Sequence, residues 1–185
     1  TEGHETEVYG LTIPLMLKSD GTKFGKTAGG AVWLDPEKTT PFEFYQFWLN
    51  QQDGDVVKFL KYFTFLSHEE IDALAVEIET QPHLRVAHKR LAEEVTRFVH
   101  GQEALDEAIR ITEALFTGEV GSLTVHEIEQ GFRNMPQASA VREEANLAVW
   151  LVDTGIVKSR REAREFISNG AITLNGTKVT DVEAV

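Results

Sequence analysis

Lys23 and Lys26 stand three residues apart in a glycine-punctuated run, Asp20-Gly21-Thr22-Lys23-Phe24-Gly25-Lys26-Thr27-Ala28-Gly29-Gly30. A loop of this kind can bring two ammonium groups and several backbone N–H groups onto a polyphosphate, with glycine permitting the close approach. The P-loop pattern G-x-x-x-x-G-K-[ST] fits only at its end. Gly25-Lys26-Thr27 matches, but the earlier glycine falls on Asp20, and Thr27 runs into Ala28-Gly29-Gly30 where a helix should open. A second cationic cluster lies far along the chain at Lys158, Ser159, Arg160, Arg161 and Arg164. Arg160 and Arg164 share a helical face, Arg161 lies three before Arg164, and a helix N-terminus adds dipole and free N–H groups for phosphate.

The elements that must position these residues are mostly helices. Leu11–Leu17 reads as a mostly buried strand, which Pro14 demotes to an edge or a bulge. From Asp35 on the periodicity turns helical. Thr39-Thr40-Pro41 gives an N-cap and an N1 proline before Phe44, Phe47 and Trp48. Asp53/Asp55 start a helix with Val56, Phe59, Leu60 and Phe63 inward, and Ser67 and Thr124 each head a capping box. Pro82 opens a long segment through His100, closed by Gly101, and Gln102–Thr117 ends at Gly118. The aromatics between Phe42 and Phe65 fall at helical spacing and read as core rather than as stacking platforms for bases. Residues 136–145 read as a linker. Beyond it, Ser159-Arg160-Arg161-Glu162 is a further capping box, opening a helix with Ala163, Phe166 and Ile167 on its apolar face. Asn175-Gly176 marks a hairpin.

Composition bounds the function. The 185 residues carry 42% apolar content, enough for a core, and no cysteine, which removes disulfides, thiolate metal sites and cysteine nucleophiles and fits a reducing compartment. A net charge of −12 argues against nucleic acid, but its distribution does not. Residues 1–145 hold 13 basic and 25 acidic side chains; residues 146–185 hold five of each, and four of those five cations lie between Lys158 and Arg164. A local patch can bind phosphate on an acidic protein, because charges beyond a Debye length of roughly 8–10 Å are screened. His68, His83, His88, His100 and His126 show no ligand spacing and read as surface or capping residues, with no metal assigned.

Lys-Phe-Gly-Lys-Thr resembles the mobile lysine loop of class I aminoacyl-tRNA synthetases. With Thr12-Ile13-Pro14-Leu15, Val32-Trp33-Leu34-Asp35 and Pro41-Phe42-Glu43-Phe44-Tyr45-Gln46-Phe47-Trp48, it resembles the bacterial tyrosyl-tRNA synthetases through nearly the whole chain. The run from Leu151 to Ile167, with Gly170 and Asn175-Gly176, resembles the S4 RNA-binding motif. Tryptophanyl enzymes lack that tail, which favours tyrosine. The resemblance implies a mainly α chain: the short end of a class I nucleotide-binding α/β domain (1–34), an α-helical anticodon-side domain (35–135), the linker, and a truncated α+β S4-like domain (146–185).

On that resemblance Lys23 and Lys26 are catalytic, and with Gly25 and Thr27 they hold the phosphates of ATP. Lys158, Ser159, Arg160, Arg161 and Arg164 contact tRNA(Tyr). The implied parent activates tyrosine with ATP, with Mg present, and transfers it to tRNA; it is expected to be cytoplasmic and homodimeric. The chain is expected to be a fragment, inactive alone and with no membrane association. The alternative is a free-standing S4-type RNA-binding protein with an acidic helical domain, which leaves Lys23 and Lys26 without a role.

Overall fold

The computed structural model describes residues 9–13, 15–27, 30–135, 146–174 and 176–183, without the side chains of Lys26 and Thr27. The expected linker, 136–145, lies outside the described residues, as does Pro14. Strands β1 (Lys26–Thr27) and β2 (Gly30–Ala31) pair antiparallel. The helices are α1 (Pro41–Leu49), α2 (Asp53–Phe63), α3 (His68–Thr80), α4 (Val86–His100), α5 (Gln102–Thr117), α6 (Val125–Phe132), α7 (Leu147–Asp153) and α8 (Arg160–Ser168). A hairpin of β3 (Ile172–Leu174) and β4 (Thr177–Val179) follows, with Leu174 opposite Thr177. The protein is mainly α, as its periodicity predicts. No described helix is long and apolar enough to cross a membrane.

The chain forms two compact units, Thr1–Thr39 with Phe44–Val99, and Thr40–Glu43 with His100–Val185. In the first, Phe44, Tyr45, Trp48, Val56, Phe59, Leu60, Ile71 and Leu91 are buried. Reciprocal capping boxes at Ser67/Glu70 and Thr124/Glu127 start α3 and α6 as expected. Thr40 and Glu43 make the same exchange at the head of α1. In the second unit α7 and α8 close their own core of Leu147, Ala148, Leu151, Val157, Ala163 and Ile167, with Ile172 and Val179 of the hairpin against it.

Five expectations are corrected. The described residues of Leu11–Leu17 do not form a buried strand: their one pairing is a bridge between Leu17 and Lys23, and Leu11, Ile13 and Leu15 are 93%, 78% and 69% exposed. A strand needs a neighbouring ladder and an apolar cover, and the described residues bring neither to this segment. Tyr62 and Phe65 are surface residues: Tyr62 lies within α2 but off its inward stripe of Val56, Phe59, Leu60 and Phe63, and Phe65 follows the end of the helix. The segment from Pro82 is broken at Arg85, which sits at φ +52° between a 3-10 turn (Pro82–Leu84) and α4. Its guanidinium donates to the carbonyls of Leu49 at 2.7 Å and Gln51 at 3.3 Å, and that tether fixes the kink. Phe166 is 38% exposed, leaving Ala163 and Ile167 as the inward residues of α8. His88 is buried at 1% exposure, with Nε2 3.0 Å from Asp53 Oδ1, and is neither a surface nor a capping residue. Burial, and then the nearby Arg85, hold its imidazole below the ordinary histidine value despite Asp53.

Candidate functional site

The lysine run is built from its stem upward. Asp20 Oδ1 accepts from the Thr22 hydroxyl at 2.6 Å and the Thr22 N–H at 2.8 Å, an Asx turn whose hydrogen bonds hold the Asp20 carboxyl below its ordinary value. Lys18 N–H donates to Thr22 O at 2.8 Å, and Gly21 N–H to Lys18 O at 2.9 Å, closing the turn with Gly21 at φ +80°. Such a φ strains any residue with a Cβ, so glycine is required there. Phe24 N–H then donates to Met16 O at 3.3 Å, and Leu17 faces Lys23 across a bridge. The run therefore doubles back on the segment that precedes it.

Phe24 is the apolar anchor of the run. Its ring lies 4.7 Å from that of Phe59, 5.5 Å from Trp48, 5.5 Å from Phe63 and 5.9 Å from Phe47, in tilted arrangements that suit aromatic quadrupoles. Lys23, the preceding residue, is exposed, and Gly25 at φ +85° turns the chain into β1. Lys26 and Thr27 are β1 residues paired with Ala31 and Gly30. A strand after Gly25 where a P-loop would open a helix agrees with the exclusion of that motif. The aromatic side of the loop borders a cleft of about 390 Å³ lined by Val32, Leu34, Phe44, Tyr62 and Phe98 among others, with no charged residue. That side cannot hold a polyphosphate; the exposed Lys23 can.

Sequence reasoning missed the polar anchor. Asp55, read only as a helix starter, accepts from Ser19 N–H and Ser19 Oγ, both at 3.0 Å, and from Lys58 Nζ at 2.9 Å. Burial alone would raise its carboxyl, but the Lys58 and Ser19 hydrogen bonds outweigh that and hold it below the ordinary value. Nothing in the sequence links positions 19 and 55.

The second cluster is placed by local rules. Ser159 Oγ accepts from Glu162 N–H at 3.2 Å and caps α8. The reciprocal arm differs from a capping box: Glu162 Oε2 accepts from Lys158 N–H at 2.8 Å, one residue earlier, because Ser159 is fully extended at φ −155°. Lys158, Ser159, Arg160, Arg161 and Arg164 are all exposed. The side chains of Lys158 and the three arginines make no ion pair with any described residue, and Arg160 and Arg164 flank the apolar face formed by Ala163 and Ile167, both at 0% exposure. The described residues contain no group of three or more His, Cys, Asp or Glu that could hold a metal.

The family description "tRNA synthetases class I (W and Y)" matches residues 2–117, well over half of the chain. The chain belongs to the class I tRNA synthetases of the tryptophan and tyrosine group. In this synthetase chain, residues 127–185 also match the tyrosine–tRNA ligase C-terminal domain description. A Bacillus cereus protein named tyrosine–tRNA ligase 2 is 69% identical over 181 residues, 98% of this chain and 43% of its own length. Proteins named tyrosine–tRNA ligase from Limosilactobacillus reuteri and Lactiplantibacillus plantarum are 65% and 66% identical, each over 99% of this chain and 44% of their own. The synthetase chain thus spans less than half the length of the curated relatives it matches.

Proposed function

We propose that this chain supplies the lysine loop and the tRNA-binding parts of a tyrosine–tRNA ligase. In the proposed reaction a tyrosine carboxylate oxygen attacks the α-phosphorus of ATP. The bond to the bridging oxygen of the β-phosphate breaks and pyrophosphate leaves with its electron pair. A terminal ribose hydroxyl of tRNA(Tyr) then attacks the adenylate carbonyl, and AMP leaves. Lys23 and Lys26 carry the first step, meeting the charge that builds on the departing pyrophosphate, with Gly25 and Thr27 beside them on the phosphates. Magnesium would arrive on the ATP phosphates, since the described residues hold no group of three or more His, Cys, Asp or Glu.

One observation carries the reading. Phe24 is locked in an aromatic box while its neighbour Lys23 is exposed, in a chain 69% identical over 98% of its length to a tyrosine–tRNA ligase. The S4-like reading of residues 146–185 is supported by α8, whose arginines have no ion-pair partner among the described residues and rise from a helix start over a packed core. There Lys158, Ser159, Arg160, Arg161 and Arg164 bind tRNA phosphates. The absence of cysteine suits a cytoplasmic enzyme, and the complete ligase is proposed to be a homodimer. The test is tyrosine-dependent ATP–pyrophosphate exchange by a full-length protein carrying this sequence. Exchange that needs tyrosine and collapses in Lys23→Ala is expected; exchange driven by another amino acid overturns the proposal.

A further inference from the structure

Asp55 lies in the first turn of α2 with 1% exposure, and its side-chain partners are Ser19 and Lys58. A carboxylate taken out of water must be matched by donors, and three hydrogen bonds meet that need. Two come from Ser19, an exposed residue four positions before Lys23. The third comes from Lys58, whose ammonium also donates to the carbonyl of Leu17, the residue bridged to Lys23. Gln52 Oε1, 2.9 Å from Ser19 Oγ, shares the single hydroxyl proton with Asp55, while the Ser19 N–H donates to Asp55 alone. One ion pair, its carboxylate buried and its ammonium half-buried, thus grips the stem at positions 17 and 19. Helix α2 does not need this pair for its own packing, because Val56, Phe59 and Leu60, each at 0% exposure, already seat it. What the pair fixes is the stem.

We infer that Asp55 is a positioning residue for the lysine loop, acting through Ser19 and, with Lys58, through Leu17. The inference rests on the ligase reading of Lys23. Between the polar latch at Ser19 and the aromatic latch at Phe24, the run turns at Gly21, so Lys23 is held from both sides of a short arc. Releasing the polar latch lets the ammonium wander from the position where the leaving group needs it.

The experiment uses a full-length ligase carrying this sequence. Asp55→Asn keeps shape and one acceptor oxygen but loses the charge. It is expected to slow tyrosyl-adenylate formation roughly tenfold in single-turnover kinetics, to leave the tyrosine dissociation constant unchanged, and to speed tryptic cleavage after Lys23 and Lys26. Ser19→Ala, at an exposed position, cannot open a cavity in the core and should shift both readouts the same way by less. In a Lys23→Ala background, Asp55→Asn should slow the chemistry no further, because it acts through that lysine. Additive losses, unchanged adenylate formation in both variants, or wild-type tryptic rates would each overturn the inference. If Lys23→Ala itself leaves adenylate formation intact, the ligase reading of the loop fails instead. Tryptic cleavage then decides the latch alone, faster cutting supporting it and unchanged cutting refuting it.

Discussion

Lys23 sits on a stretch whose regular structure is one bridge and a pair of two-residue strands, whereas Arg160, Arg161 and Arg164 sit on a nine-residue helix. The stretch is positioned by residues far along the chain: Asp55 binds Ser19 across 36 positions, and Phe24 packs on rings of α1 and α2. The helix is positioned by its neighbours, with Ser159 as cap and Ala163 and Ile167 four apart on the inward face. Two sets of cations proposed to meet phosphate are therefore set out by different physics. The lysine can be displaced without unfolding anything, while the arginines move only if their helix does.

The largest effect that tests this contrast is expected at the lysines. Lys23→Ala or Lys26→Ala in a full-length ligase should slow adenylate formation by about 10²–10³, or roughly 3–4 kcal/mol, the usual worth of a group that meets charge in the transition state. Tyrosine binding should hardly change. Single-turnover activation at saturating ATP is the measurement, and wild-type rates in both variants would reduce the run to a surface turn.

Phe24→Ala comes next. Removing a half-buried ring from the box of Phe47, Trp48, Phe59 and Phe63 should cost about 2 kcal/mol of stability, below the range for a fully buried phenylalanine. It should also slow adenylate formation, with Phe24→Leu recovering part of both. If stability drops while chemistry holds, the ring only packs and does not place Lys23.

At the other region the arginines should be removable without structural cost. If about three phosphates are contacted, log affinity for tRNA should fall against log salt with a slope near −2 to −3, and Arg160→Glu with Arg164→Glu should flatten it by about two units. The thermal melt should not move, since neither residue has an ion-pair partner among the described residues. Superimposable binding curves for wild type and the double variant would make these arginines an ordinary solvated face.

The smallest effect is a pH dependence of the unit that holds the lysine run. His88 keeps its neutral form because it is buried, so its folded pKa lies below the ordinary 6.5. Between those two values the unfolded chain binds more protons. Stability is therefore full above about pH 6.5 and is lost as pH falls toward the folded value. Denaturant unfolding followed by tryptophan fluorescence from pH 7.5 to 5 should show this slope, and His88→Gln should reduce it, the remainder coming from His100, which burial also holds below its ordinary value. A slope undiminished in the variant would assign the sensitivity to another group.

The sequence by itself determined whatever obeys local rules. It set the helix starts at Thr40, Ser67 and Thr124, where a hydroxyl and a glutamate three residues on satisfy the first N–H groups. It set the turn at Gly176, where the left-handed backbone excludes most residues, and the shared face of Arg160 and Arg164, which follows from 3.6 residues per turn. The Lys-Phe-Gly-Lys-Thr run was legible too, as a pattern of residue types. Tertiary structure alone decided how that run is held. The apolar run Leu11–Leu17 reads as a strand, but a strand exists only beside a partner, and the described residues supply no ladder beyond the bridge from Leu17 to Lys23. Asp53 and Asp55 look alike as helix starters. Only packing sends Asp55 to Ser19 and leaves Asp53 beside a buried His88. Hydrogen bonds between residues 36 apart depend on where the core places two segments, and no periodicity within either segment encodes that distance.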